Sequence, residues 1–128
     1  MKIKDVMNKK LVSIDGEKKV IDACKLMGKR HIGSVIVTLK NRPYGIFTER
    51  DLLTKILAKG LDTKTALIKK FTAKPLVTVD ENYNVSECAR IMSELNIRRL
   101  IVTSKGRIKG IFTASDLVLV ISEFPLDF

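Results

Sequence analysis

Sliding the chain past itself by 65 residues brings two long stretches into register. Leu11-Val12-Ser13-Ile14-Asp15 falls on Leu76-Val77-Thr78-Val79-Asp80, and His31–Thr38 falls on Asn96–Thr103. Gly45-Ile46-Phe47-Thr48-Glu49-Arg50-Asp51 then falls on Gly110-Ile111-Phe112-Thr113-Ala114-Ser115-Asp116. No gap is needed from Leu11 to Leu53, and 17 of the 43 aligned positions are identical. Chance does not hold register over that distance, so the chain is an internal duplication and its fold must be one that can be built twice. Half a chain of this length buries too little apolar surface to be comfortable alone. Two equal halves are therefore expected to pack sheet against sheet about an approximate two-fold axis.

Each copy reads in the same order. A short β-type run, "LVSI" or "LVTV", is followed by Asp and a polar turn. Apolar residues then recur at helical spacing: Val20, Ala23, Cys24 and Met27, and in the second copy Val85, Cys88, Ala89 and Met92. That stripe predicts an amphipathic helix. A β-branched run, a turn carrying Asn and Pro ("LKNRP") or Gly ("SKGR"), and a second strand read as a hairpin. A last helix is predicted after Thr48, with Leu52, Leu53, Ile56 and Leu57, and after Thr113, with Leu117, Val118, Val120 and Ile121. The fold class expected is α+β: two tandem β-α-β-β-α repeats with small mixed sheets, since a crossover helix makes the first two strands parallel. Residues 1–60 form the first repeat, 61–75 a linker with a helical turn around "ALIKKF", and 76–128 the second repeat.

Composition narrows the function classes. With 45% hydrophobic and 30% charged residues the chain reads as globular. The start "MKIKDVMNKK" has no apolar core of a secretory signal, and "LVLVI" is far below the roughly 20 residues that span a bilayer. A cytoplasmic location without membrane association is expected. Cys24 and Cys88 sit in helical patterns without C-x-x-C spacing, which reads as buried reduced thiols and as no metal site. The formal net charge is +10, and residues 1–64 hold 15 Lys and Arg against 7 Asp and Glu. Such a charge attracts nucleic acid, acidic membrane or phosphate-bearing small molecules without choosing among them.

The repeated T-x-x-D has two compatible explanations. At a helix start it is a capping box, with the Thr accepting from a backbone N–H and the Asp reaching back. It also stands where a strand ends and backbone N–H groups face outward, a place suited to an anion or a small ligand. Thr48 with Asp51 and Thr113 with Asp116 are candidates on both grounds. Arg98 and Arg99 open a strand beside the second pair, and a guanidinium matches phosphate in a fork geometry. Copy one has Gly33-Ser34 there, so the two sites are expected to be unequal. His31, the single histidine, reads as a polar helix end with no catalytic role.

These residues resemble a tandem of cystathionine-β-synthase-type (CBS) domains, the Bateman module. "DVMNKKLVSID", "HIGSVIV" and "GIFTERDLL" are similar to one repeat, and "LVTVDENYNVSECARIM", "NIRRLIV" and "GIFTASDLV" to the next. The resemblance covers essentially the whole chain. It implies a stand-alone module sensing an adenosyl ligand (AMP, ADP, ATP or S-adenosylmethionine) in the cleft between repeats, with no catalytic cofactor and no metal. Asp51 and Asp116 would hold ribose hydroxyls, and Thr48 and Thr113 would lie near ribose and phosphate, with Ser115 in the same stretch. Ser13-Ile14 and Thr78-Val79 would meet the adenine through their backbone, and Arg98-Arg99 would meet phosphate.

An enzyme is not expected: phosphate-binding loop, dinucleotide fingerprint and nucleophile elbow patterns are all missing from the sequence. The reading reached is a regulatory module that binds an adenine nucleotide and signals to a separate partner protein. The alternative is a nucleic-acid-binding protein using its basic surface, set against an aromatic content of only 5%. A third is a structural scaffold. The resemblance also implies a homodimer formed through the helices, and the tail "EFPLDF" (residues 123–128) is a candidate for capping that surface or docking a partner.

Overall fold

The computed structural model describes residues 1–74 and 76–125. Its strands and helices follow the duplicated order: β1 (Ser13–Asp15), α1 (Val20–Arg30), β2 (Ser34–Leu39), β3 (Arg42–Thr48) and α2 (Glu49–Asp51), which continues as a π-helix over Leu52–Leu57. The second copy gives β4 (Thr78–Asp80), α3 (Val85–Leu95), β5 (Arg99–Ser104), β6 (Arg107–Thr113) and α4 (Ala114–Glu123). Two three-stranded sheets result, β1-β2-β3 and β4-β5-β6, each with a parallel pair followed by an antiparallel hairpin. The α+β expectation therefore holds. Both hairpins close through two residues with positive φ, Lys40-Asn41 at 52° and 62° and Lys105-Gly106 at 51° and 77°. That turn matches the right-handed twist of the flanking strands. His31 and Asn96 are likewise left-handed, at 54° and 53°, and end α1 and α3.

The chain divides into two compact units, and their membership does not follow the repeats. Val12–Leu76 forms one, and Met1–Leu11 joins the part of the chain from Val77 onward to form the other. The reason lies in two short lead segments, each with a 3-10 turn, Ile3–Asp5 and Ile68–Phe71. Ile3 N–H donates to the Tyr83 carbonyl at 2.7 Å and Lys4 N–H to that of Glu81 at 3.1 Å. In the other unit Ile68 N–H donates to Lys18 and Lys69 N–H to Gly16, at 2.9 and 3.1 Å. The donors of the second pair stand 65 residues after those of the first, and its acceptors 65 residues before, so the two copies exchange lead segments. Asn8 pairs with Ile111 on β6 as Ala73 pairs with Ile46 on β3. Ile3 and Ile68 are both 0% exposed. The lead segment of each repeat thus docks on the sheet of the other repeat's sequence.

This docking accounts for the repeated glycine of "GIFT". A Cβ at Gly110 would stand 2.6 Å from Met7 Sδ and 2.8 Å from the Asn8 carbonyl oxygen. At Gly45 it would run into the Ala73 carbonyl oxygen and lie 2.5 Å from Thr72 Cγ2. Only a residue without a side chain lets a second backbone cross the strand so closely.

Each unit has its own core. Val20, Ala23, Met27, Val35, Val37, Phe47, Ile56 and Ile68 form one. Ile3, Val79, Val85, Cys88, Met92, Leu100, Val102, Phe112 and Val120 form the other. The helical stripes read from sequence supply most of the helix side of both. Cys88 is buried as expected, while Cys24 is only half-buried; both are free thiols. Burial, with Glu87 beside it, pushes the Cys88 thiol up to about 11.

Candidate functional site

The T-x-x-D pairs form the capping boxes their spacing predicts. In the second copy Thr113 N–H donates to Asp116 Oδ2 at 2.9 Å, and Asp116 N–H donates back to Thr113 Oγ1 at 3.2 Å. In the first, Thr48 N–H and Asp51 N–H make the same exchange at 2.9 and 3.2 Å, and Thr48 Oγ1 adds a bond to Asp51 Oδ2 at 3.0 Å. One carboxylate oxygen in each copy is therefore committed to the helix start.

The other oxygen differs between copies. Asp51 Oδ1 is ion-paired with Lys55 Nζ at 3.1 Å, and that ammonium also lies 3.4 Å from the Phe71 carbonyl oxygen. Asp116 Oδ1 has no partner of this kind among the described residues, because Val120 stands where Lys55 does. The winding of α2 explains the pair. Four residues past Asp116, Val120 drops into the core at 5% exposure. Four residues past Asp51 stands a lysine, whose ammonium cannot be buried there without a large desolvation cost. The π winding carries one extra residue per turn, so Ile56 reaches the core instead, at 0% exposure, and Lys55 turns over the carboxylate. Sequence reading missed Lys55, although Asp51 and Lys55 are four apart, the spacing at which helical ion pairs form.

Strand register places the remaining candidates. Ser13 lies opposite Ile36, which lies opposite Ile46, while Ser34 lies opposite Thr48. Residues two apart on a strand share a face, so Ser13 and Thr48 lie on one face, about 12 Å apart by strand spacing. The same argument gives Thr78, Arg99 and Thr113 one face of the second sheet, with Arg99 directly opposite Thr113. Ile14 and Val79 turn the other way into their cores, which leaves their backbone as the part able to meet a ligand. The Arg98 carbonyl accepts from Ala114 N–H at 2.9 Å, which ties the arginine pair to the start of α4. Arg98 and Ser115 are exposed and Arg99 is half-buried. One unit thus holds Ser13, Ile14, Thr48 and Asp51. Thr78, Val79, Arg98, Arg99, Thr113, Ser115 and Asp116 belong to the other.

A hollow of about 410 Å³ lies beside α2 in the Val12–Leu76 unit, lined by Met27, Gly28, His31, Gly33, Glu49 and Leu52 among others. Neither Thr48 nor Asp51 lines it. Among the described residues no group of three or more His, Cys, Asp or Glu could hold a metal ion, and no helix is long and apolar enough to cross a membrane. Within the tail "EFPLDF", Phe124 is 40% exposed, and residues 126–128, Phe128 included, lie outside the described residues.

Among known proteins, hypoxic response protein 1 of Mycobacterium tuberculosis H37Rv is 31% identical over 124 residues, 96% of this chain and 87% of that protein. An uncharacterized protein of Methanopyrus kandleri is 38% identical over 96 residues, 73% of this chain, which spans only about half of that relative, 49% of its length. Of solved structures, a hexameric CBS-CP12 protein from bloom-forming cyanobacteria superposes with a TM-score of 0.88 at 33% identity, over 98% of this chain and 75% of that one. The CBS-domain model matches twice, at residues 3–58 and 68–123, the same 65-residue offset that relates the lead segments, strands and capping boxes. On that repeated match over most of its length, the chain belongs to the CBS-domain family, as a tandem pair.

Proposed function

We propose that this chain is a regulatory module that binds an adenine nucleotide, chiefly through its second copy, and passes the change to a separate protein. CBS-domain pairs are generally regulatory and often bind adenosine ligands. The observation that carries the finer reading is the state of the two carboxylates. Asp116 keeps Oδ1 without an ion-pair partner among the described residues, and Thr113, the residue it caps, lies opposite Arg99 in the β5–β6 pair. A carboxylate accepts from the two vicinal hydroxyls of a ribose, and a guanidinium holds a phosphate in two parallel bonds. Asp51, clasped by Lys55, must give up an ion pair before it can do the same. AMP, ADP and ATP fit this arrangement, and S-adenosylmethionine offers the same sugar without the phosphate. The ligand shifts the module only as far as it prefers one shape over another.

Calorimetric titration with these four ligands tests the reading. One binding event per chain is expected, strongest for a phosphate-bearing ligand. Asp116→Asn keeps an oxygen for the Thr113 N–H but gives up the charged acceptor, and should weaken binding about 5- to 30-fold, the difference between charged and neutral hydrogen bonds. Asp51→Asn should change it far less, and Lys55→Met should add a second event. Absence of heat with all four at millimolar concentration sinks the proposal.

The module is also proposed to pair with a second copy of itself. Leu53, Leu57 and Leu61 are 58%, 51% and 40% exposed on and after α2, and Val118, Leu119 and Ile121 are 66%, 58% and 42% exposed on α4. Apolar faces of this kind mark association surfaces.

A further inference from the structure

The hairpin end of the second sheet carries a hollow of about 930 Å³ that the nucleotide reading does not use. Lys4 and Lys9 of the first lead segment line it, with Lys105, Arg107 and Lys109 of the β5–β6 hairpin. Ser104 and Arg107 close the hairpin five residues along the strand from the Arg99–Thr113 pair, about 17 Å away at strand rise. The hollow is therefore separate from the Thr113–Asp116 end of the same sheet.

Its five cations are not neutralised internally. None of them takes part in a salt bridge or donates a side-chain hydrogen bond among the described residues. Two carboxylates share the lining, Asp5 and Glu81, which leaves a formal excess of three positive charges. A concave surface of one sign concentrates the field and draws in a multiply charged anion.

The first copy shows that such a hollow is not a by-product of the fold. At the matching place Gly16 replaces Glu81 and Leu39 replaces Ser104, and the two pack so closely that a Cβ on Gly16 would lie 2.6 Å from Leu39 Cδ2. Lys69, the counterpart of Lys4, is bound to Glu17 at 2.7 Å. Lys74, the counterpart of Lys9, sits 4.7 Å over the ring of Tyr44, which replaces Lys109. The same lysines are tied up in one copy and open in the other.

We propose that this hollow binds a short linear oligophosphate free in solution. Among the described residues no aromatic side chain lines it, so these offer a nucleobase nothing to stack on, whereas single-stranded nucleic-acid sites combine basic grooves with aromatic platforms. Arg107 can grip a phosphate through two parallel bonds, and four lysines supply point charges to its neighbours. The volume suits several phosphate groups.

Titration of the full chain with inorganic tripolyphosphate at physiological salt tests this, read by calorimetry and by the phosphorus NMR line. One-to-one binding is expected, unaffected by AMP. The double variant Arg107→Glu/Lys109→Glu should lose at least tenfold in affinity. Lys40→Glu/Arg42→Glu, the same charge change on the exposed first hairpin, should keep affinity within about twofold of the parent, and unchanged circular dichroism verifies folding of both. Equal losses in the two variants, or no binding of tripolyphosphate at millimolar concentration, would overturn the proposal. So would tighter, length-dependent displacement of tripolyphosphate by single-stranded oligonucleotides, which assigns the surface to nucleic acid.

Discussion

Replacing Gly45 by Ala tests the crossing of β3 by the second lead segment. The added methyl meets the Ala73 carbonyl oxygen and Thr72 Cγ2 at 2.5 Å, and neither can move cheaply. Ala73 exchanges two backbone hydrogen bonds with Ile46 at 2.9 and 3.0 Å, and Thr72, 8% exposed, is held by a 2.8 Å bond to the Ile68 carbonyl. Shifting this backbone while keeping it docked costs about 1–3 kcal/mol, the usual range for overpacking. Releasing the segment instead would lose two hydrogen bonds of about 1 kcal/mol each and the burial of Ile68, about 2 kcal/mol more. The cheaper route wins, so about 2 kcal/mol is expected, with a ceiling near 4. That lowers the melting temperature by roughly 5–15 °C for a chain of this size. Gly28→Ala is the internal comparison: the site is inside α1, and apart from the adjoining helix backbone no atom of the described residues lies within 4 Å of its added Cβ. It should gain about 0.5–1 kcal/mol from backbone entropy and melt higher. Thermal unfolding followed by circular dichroism reads both. An unchanged midpoint for Gly45→Ala would refute the account of why this glycine is repeated.

The buried Cys88 thiol predicts a loss of stability at high pH. Its proton is retained in the folded protein up to about 11 but released earlier from the unfolded chain, so stability is complete below the ordinary thiol range and falls as pH rises toward 11. Unfolding free energies from urea titrations between pH 8 and 11 should fall by on the order of 1 kcal/mol per pH unit more in the parent than in Cys88→Ala. Multi-angle light scattering should give twice the chain mass, and Leu57→Glu with Val118→Glu should return it to one chain; an unaltered mass in that variant would exclude these faces from the pairing.

Much of the fold was legible because it is written twice. The helical stripes, the two hairpins and the capping boxes are local features, each set by residues a few positions apart, and the 65-residue offset confirmed each against its copy. The T-x-x-D pairs were read with both of their possible roles, and their hydrogen bonds are those their spacing predicts. The lead segments were less visible. Ile3, Lys4 and Lys9 match Ile68, Lys69 and Lys74, but three identities in so short a stretch do not announce a structural element. The winding of α2 and the Lys55–Asp51 pair were also unread, since a helical wheel drawn at the ordinary α period misplaces residues past a π turn.

The sequence by itself determined that there are two copies, that each is β-α-β-β-α, and which residues start its helices, because these depend on short-range sterics and hydrogen bonds. Only the tertiary structure decided which lead segment docks on which sheet, why the glycine of each "GIFT" cannot carry a side chain, and which carboxylate is left open. Those outcomes rest on contacts between residues tens of positions apart and on how one lysine is kept out of a core, and no local pattern encodes either.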